Sequence, residues 1–368
     1  MKKFLYDVNQ DTVLCKEYPF REYEIVADSS IFRYPSLLDV SIIIPCYNVE
    51  RFLTSCIESL AAQKTQYSFE AIFVNDGSTD GTKEILDQAK KKYPIFQCIH
   101  QPNQGCGAAR NTGMRKAKGE YLLFVDADDV VSDNYVEALV GCVKASGADL
   151  GACAYYSFTE NGLRYKEVQW PKNVKTSEIT GTSWGKIFRR TLFDRLLWPS
   201  GRYQDTILSY LVFPKVNQLV TTNDCTYGYR SSLQNTTNAG RKSAKALDTL
   251  YITAQVLRCM EKLKLEDWLY TLEGHDLLVN QFYLNQCRIQ QLSENIQKEV
   301  FRLQCEYYQE MDHHAAGKHR YDSRLYALAL RKNSMVLGNC AVKLEKANKA
   351  LRIVSSRLSR LLRRGETQ

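Results

Sequence analysis

Three carboxylates fall within four residues, at Asp126, Asp128 and Asp129, directly after the apolar run Tyr121–Val125. Anions this close repel one another, and a hard divalent cation relieves the repulsion. Mg²⁺ or Mn²⁺ is typically held by one or two carboxylates together with substrate phosphates. The same residues also read as an acidic turn ahead of a helix capped at Asp133. Two further polar clusters follow apolar runs: Pro45-Cys46-Tyr47-Asn48 and Asn75-Asp76-Gly77-Ser78. Asp76 could accept hydrogen bonds from a base or a ribose, or serve only its own turn. Tyr47 could stack on a flat ring or pack into a core. Arg110 lies behind the segment Asn103-Gln104-Gly105-Cys106-Gly107. It could meet a diphosphate or nucleoside, or form a surface ion pair.

For these clusters to meet, the apolar runs must lie side by side. Val40–Cys46, Phe69–Asn75, Phe96–His100 and Tyr121–Val125 read as strands, and a fifth lies near Leu150–Tyr156. Nearly continuous apolar runs of this length suit strands buried on both faces. Helical spacing separates them, over Glu50–Lys64, Thr82–Lys92, Gly105–Lys118 and Asn134–Ala145. The alternation predicts an α/β fold with right-handed crossovers and a mainly parallel sheet flanked by helices. Ligands in such sheets bind beyond the carboxyl ends of the strands, where all three clusters fall. Residues 1–39 read as a lead-in that packs on this domain. The domain itself spans 40–240, with halves at 40–145 and 146–240. No proline follows Pro214, and Leu, Lys, Glu and Gln recur at helical spacing from Lys242. A helical C-terminal region is therefore expected over 241–368.

Composition narrows the function classes. No apolar run reaches the roughly 18 residues of a membrane span, and the N-terminus lacks the apolar core of a signal peptide. A cytoplasmic protein is expected. The twelve cysteines are scattered without a CxxC pair and read as reduced core residues. The net charge is +8, but eight Lys/Arg and two Glu lie in residues 341–368, so the tail carries +6 of it. A broad nucleic-acid-binding surface is not expected. Ala347, Leu351, Val354, Leu358 and Leu361 recur at spacings of four and three, between basic residues. The stripe over 341–364 suits an amphipathic helix on an anionic membrane surface, one packed on the protein, or a homodimer contact. His313, His314 and His319 flank a polar segment and read as a solvated linker rather than a metal cluster.

Taken in order, Ser41–Asn48, Val74–Gly81, Asn103–Gly113 and Gly119–Asp129 resemble the nucleotide-sugar half of a family 2 glycosyltransferase with the GT-A, Rossmann-like fold. Ser183–Arg190, Tyr203–Ile207 and Tyr227–Arg230 resemble, more weakly, the acceptor half of non-processive bacterial polysaccharide and teichoic-acid-type transferases. The resemblance implies roles. Asp126 and Asp128 match the DxD element that binds the metal and the ribose-diphosphate of the donor. Asp76 matches the residue that recognises the base, commonly uracil, and Tyr47 a position against that base. Pro45, Asn48, Gly105, Arg110 and Ala127 belong to the same nucleotide-sugar site. Asp205 matches the general base. Two positions depart from the pattern: Asn75 stands where an aspartate is usual, and Gln204 where a glutamate precedes the catalytic aspartate.

The implied reaction moves a sugar from a nucleotide-sugar, commonly a UDP-sugar, to a hydroxyl of a glycan or lipid-linked glycan. Mn²⁺ or Mg²⁺ is the implied cofactor, and a single base implies inversion. A dehydrogenase is excluded, because no GxGxxG turn follows the first strand. A sugar nucleotidyltransferase would show a glycine-rich phosphate loop there. An inactive relative that only binds a partner stays open, with Gln204 in its favour. Processive synthases of the family carry transmembrane helices and a Gln-x-x-Arg-Trp motif, both absent from this sequence.

Overall fold

The computed structural model describes residues 7–171, 174–179, 181–231, 243–312, 326–330 and 332–343. His313, His314, His319 and the basic stripe beyond residue 343 lie outside the described residues. In chain order the elements are α1 (Thr12–Glu17), β1 (Leu38–Cys46), α2 (Glu50–Ala61), β2 (Phe69–Asp76), α3 (Thr82–Lys92), β3 (Phe96–Gln101), α4 (Cys106–Lys116) and β4 (Gly119–Phe124). Then follow β5 (Val130–Val131), α5 (Tyr135–Ser146), β6 (Leu150–Thr159), β7 (Arg164–Val168), β8 (Lys186–Arg189) and β9 (Leu219–Ser231). Three long helices come last, α6 (Asp248–Leu263), α7 (Leu272–Arg288) and α8 (Glu294–Asp312).

The nine strands form one sheet in the order β3-β2-β1-β4-β8-β6-β9-β5, with β7 on β6. The first four are parallel, with Ile42 opposite both Ala71 and Leu123. The middles of β1, β2 and β4 are buried, which is why they read as apolar runs, whereas β3 at the sheet edge is buried only at Phe96. Helices cover them by apolar stripes. On α2 the stripe is Leu53, Cys56, Ile57 and Leu60. α5 ends on Gly147, a left-handed cap at φ 73°.

Beyond β4 the sheet becomes mixed. β8 runs antiparallel to both β4 and β6, while β9 runs parallel to β6 and antiparallel to β5. The reason is the connections. After β6 the chain returns through a hairpin and short 3₁₀ turns rather than crossover helices, and such links join antiparallel strands. The expected α/β sheet flanked by helices, followed by a helical C-terminal region, is what forms. All twelve cysteines are free.

Described residues within 21–231 and 255–263 make one compact unit; those within 7–20, 243–254 and 264–343 make a second. The lead-in, expected to pack whole on the α/β domain, is divided between them at residue 20. Val8 and Leu14 are buried in the helical unit, where Asp11 caps α1 and faces Arg302 on α8. Residues 25–34 instead bind the α/β unit: Val26 bridges Leu196, and Arg190 donates to the Tyr34 carbonyl. Among the described residues no helix is long and apolar enough to cross a membrane.

Candidate active site

The site lies beyond the carboxyl ends of β1, β2 and β4, built loop upon loop. The turn after β1 is hooked to the turn after β2. Asn48, at φ 51°, takes the Thr79 N–H on Oδ1 at 2.8 Å, and its own N–H reaches Ser78 Oγ at 3.0 Å. Thr82 Oγ1 and Asp80 Oδ2 accept the N–H groups of Val49 and Glu50. Pro45 pairs with Val74 one residue before β1 ends, and Tyr47 stands 49% exposed just past it. Tyr47 is therefore a surface ring at the cleft, not a core residue.

Asn75 accounts for the first departure from the family pattern. Its Oδ1 accepts the Ser78 N–H at 3.0 Å, and its Nδ2 donates to His100 Nδ1 at 3.2 Å. A backbone N–H can bond only the amide oxygen, so the amide must face this way. The residue closes its own turn and ties β2 to β3.

Asp76 is buried, and its carboxylate holds the next loop. Oδ1 accepts from Gln101 Nε2 at 2.7 Å and from the Gln104 N–H at 2.9 Å; Oδ2 accepts the Gly105 N–H at 2.8 Å. A carboxylate has about four acceptor positions, so the loop takes most of them. Gly77 permits this approach, with φ +70° and a Cβ position 2.6 Å from the Asn103 nitrogen. Gly107, on the first turn of α4, lets the helix lie against the acceptor loop: a Cβ there would sit 2.1 Å from the Pro199 carbonyl oxygen and 2.9 Å from Gln204 Oε1. Gln204, the second departure, thus packs on α4.

The carboxylate triplet divides. Asp126 and Asp128 are partly exposed, whereas Asp129 is fully buried. Asp129 Oδ2 accepts from Tyr227 Oη at 2.6 Å, and Oδ1 accepts the Arg230 N–H at 2.6 Å. Tyr227 Oη also receives the Asp126 N–H at 3.1 Å. Val130 and Val131 continue this tie by pairing with Gly228 and Tyr227 on β9. Asp129 is therefore a structural pin that fixes the backbone of the other two. Ala127 is buried between them. Burial, and then the charge of Asp126, pushes the Asp128 carboxyl up to about 6.

Arg110 is not a surface residue. Its side chain is 5% exposed and lies over the Trp198 ring, 4.8 Å from the centroid. Nη2 donates to Asp126 Oδ1 at 3.1 Å, and Nη1 stands 3.7 Å from Asp205 Oδ1. Asp205 is raised above the ordinary carboxylate range by burial, with Arg110 and Lys186 pulling the other way. Lys186 is itself buried on β8 and lowered to about 8 by desolvation. Asp205 Oδ1, Gln204 Oε1 and Arg110 Nε are buried without a hydrogen-bond partner among the described residues. Orphaned polar atoms of this kind suit a cleft that receives a polar ligand.

The residues of the site are therefore linked in series, from Asn48 through Asp76 and Gly105 to Arg110, Asp126 and Asp205. Among the described residues no group of three or more His, Cys, Asp or Glu could hold a metal alone. Asp126 and Asp128 fit a small hard cation of the kind completed by a ligand's phosphates. Tyr227 and Trp198 escape a local reading because each acts across a long stretch of chain. Trp198 is tied to Asn111 by two hydrogen bonds, at 2.9 and 2.8 Å.

Comparison with known proteins agrees with this geometry. The profile of the family described as Glycosyl transferase family 2 matches residues 41–210. Glycosyltransferase GlyA of Streptococcus pneumoniae is 33% identical over 211 residues, covering 52% of this chain and 30% of GlyA. Glycosyltransferase GlyG of the same organism is 28% identical over 67% of this chain and 93% of its own length. The chain spans half or less of several other curated relatives, such as EpsH of Bacillus subtilis at 50%. Among solved structures, S. aureus TarS 1-349 in complex with UDP-GlcNAc shares the fold at a TM-score of 0.54. It is 18% identical, over 84% of this chain and 92% of that one. Through residues 41–210, this chain is similar to the proteins of glycosyl transferase family 2.

Proposed function

We propose that this chain is an inverting, metal-assisted glycosyltransferase. It would move a sugar from a UDP-sugar to a hydroxyl of a glycan or lipid-linked glycan in cell-surface polysaccharide synthesis. The observation that carries the reading is the buried Arg110 guanidinium, which lies between donor-side Asp126 and acceptor-side Asp205. The match to the family 2 profile and the positions of Asp76 and Tyr47 support a nucleotide donor. The TarS complex with UDP-GlcNAc makes UDP-sugars the first to screen.

Each residue has a task in this reading. Asp76 holds the loop that forms the base end of the cleft, and Tyr47 offers its face to the base. Asp126 and Asp128 would hold Mn²⁺ or Mg²⁺ together with the donor's diphosphate. When bound, the cation supplies Lewis-acid stabilisation of the charge left on that diphosphate. Asp205 takes the proton of the attacking hydroxyl, which is too weak an acid to lose it unaided. One carboxylate base, with no second carboxylate as nucleophile, gives inversion at C1, unlike a retaining glycosidase. Incubation of a UDP-sugar panel with Mn²⁺ and no acceptor is expected to give slow UDP release that EDTA stops. Absence of release from every donor would favour a binding protein instead.

The basic stripe at 341–364 extends the reading to an anionic lipid surface on the cytoplasmic side. There each nearby charge contributes about 1 kcal/mol, and a lipid-linked acceptor would share the plane. The full chain is expected to sediment with anionic but not neutral liposomes, in a salt-sensitive way. A chain ending at Asn339 should remain in the supernatant. If both stay in the supernatant at low salt, the membrane reading fails.

A further inference from the structure

We propose that Arg110 is a positioning residue for Asp205, a fixed strut joining the donor carboxylates to the acceptor-side base, and not solely a donor contact. The inference rests on the transferase reading above, in which Asp205 is the base.

The geometry starts from α4. Arg110 follows two buried positions that let the helix lie close to the acceptor loop, Gly107 and Ala109. Its side chain therefore emerges between β4 and the loop that carries residues 198–205. There it is held on one face. Trp198 is 1% exposed, and both its backbone N–H and its carbonyl are bonded to Asn111, the next residue on α4 after Arg110. The ring under the guanidinium is thus locked to the same helix that carries the guanidinium. A guanidinium is a rigid planar fork with its charge fixed at all working pH. Stacked in this way, its two outer nitrogens can address two separate carboxylates. Nη2 takes Asp126 at 3.1 Å, and Nη1 faces Asp205 Oδ1 at 3.7 Å. The carboxylates come from opposite halves of the fold, one just past β4 and one in the loop ahead of the turn Leu208–Val212.

Other groups facing Asp205 do not replace this contact. Asp126 past β4 disfavours its charge, Lys186 on β8 is the second cation, and the Ser183 hydroxyl lies beside it and favours the charged form. Lys186 Nζ is committed to Thr182 and to the Trp184 carbonyl. Asp205 Oδ1 has no hydrogen-bond partner among the described residues, and the Arg110 guanidinium is the cation that faces it. Removal of the guanidinium takes away the cation that faces Asp205 Oδ1 at 3.7 Å, and with it an opposite charge that favours the ionised base.

The test is the pH dependence of turnover at saturating UDP-sugar and Mn²⁺, read as UDP release to water. Wild type, Arg110→Gln, Arg110→Lys and Asp205→Asn are compared, using the donor that supports release in the panel. Arg110→Gln is expected to lower neutral-pH turnover at least about tenfold and to move the acid limb up by about one pH unit, the low end for loss of an adjacent opposite charge. Arg110→Lys keeps the charge but loses the fork, so its limb should return toward wild type while its turnover stays reduced. A rise in donor KM alone, with turnover and acid limb in place for both variants, would overturn the inference. Should Arg110→Gln fail to fold, Arg110→Lys decides in the same terms. If Asp205→Asn releases UDP as fast as wild type, the base assignment has failed rather than the strut.

Discussion

Asp205→Asn is expected to lower sugar transfer at least about 100-fold, the lower scale for loss of a general base, while leaving UDP affinity nearly unchanged. The substitution is isosteric and removes only the ability to take a proton. The charged neighbours of Asp205 are Arg110, Asp126 and Lys186, none of them on β1 or β2. Calorimetric titration with UDP and Mn²⁺ checks the affinity, and UDP release checks the turnover. A large loss of UDP affinity with turnover intact would move Asp205 to the donor side. Stability should move the other way from activity. The folded carboxyl is raised above its unfolded value by burial, so its stabilising contribution is present at low pH and lost as pH rises through the folded pKa. At neutral pH the ionised group is a net cost to the fold. Asparagine relieves that cost, so Tm at pH 7 should be unchanged or higher. Sites shaped for chemistry often show this exchange of stability against activity.

The parallel half of the sheet was legible because burial on both faces leaves no polar interruption. Thr82–Lys92 forms a helix with the expected bounds, and β1 and β2 depart from expectation by only a residue or two at their ends. The acceptor half was harder. β8 is four residues long, too short for a two-residue alternation to stand out in the sequence. β9 mixes buried, partly exposed and exposed positions without a regular period and breaks register against β6 between Cys153 and Ala154. The three donor-side clusters were legible as polar residues placed just after apolar runs, and the structure sets them at three strand ends of one edge. Asp205 was visible only by family likeness, because nothing local distinguishes a lone aspartate in a loop. Arg110 was legible as a charged residue just behind the Asn103–Gly107 segment, but its burial depends on Trp198, 88 positions along the chain, with the guanidinium 4.8 Å from the ring centroid. The lead-in was misjudged as a whole because its first part forms a short capped helix whose partner, α8, lies almost 300 residues away.

Within the triplet, Asp128→Ala and Asp129→Ala should fail in opposite ways. Asp128→Ala is expected to abolish transfer and the Mn²⁺-dependent part of UDP binding without loss of fold. Its carboxyl is pushed up to about 6 by burial and by Asp126. The ionised side chain is therefore a net cost at neutral pH, present only once the pH has risen through that value. Alanine removes it together with the proposed cation ligand, so the midpoint of denaturant unfolding should hold or rise. Asp129→Ala removes no cation ligand. It strands two buried donors, Tyr227 Oη and the Arg230 N–H, each bonded at 2.6 Å in the native fold. A buried donor left unsatisfied costs about 1–3 kcal/mol, so the pair should lower stability by roughly 2–5 kcal/mol. Tyr227 also holds the Asp126 N–H, and the same change should loosen the β5–β9 pair and reduce activity through the backbone. Urea unfolding of both variants, beside UDP titration with Mn²⁺ and with EDTA, separates the cases. Full activity of Asp128→Ala, or of wild type in EDTA, would remove the DxD assignment. Wild-type stability of Asp129→Ala would show that the triplet is not divided between pin and site.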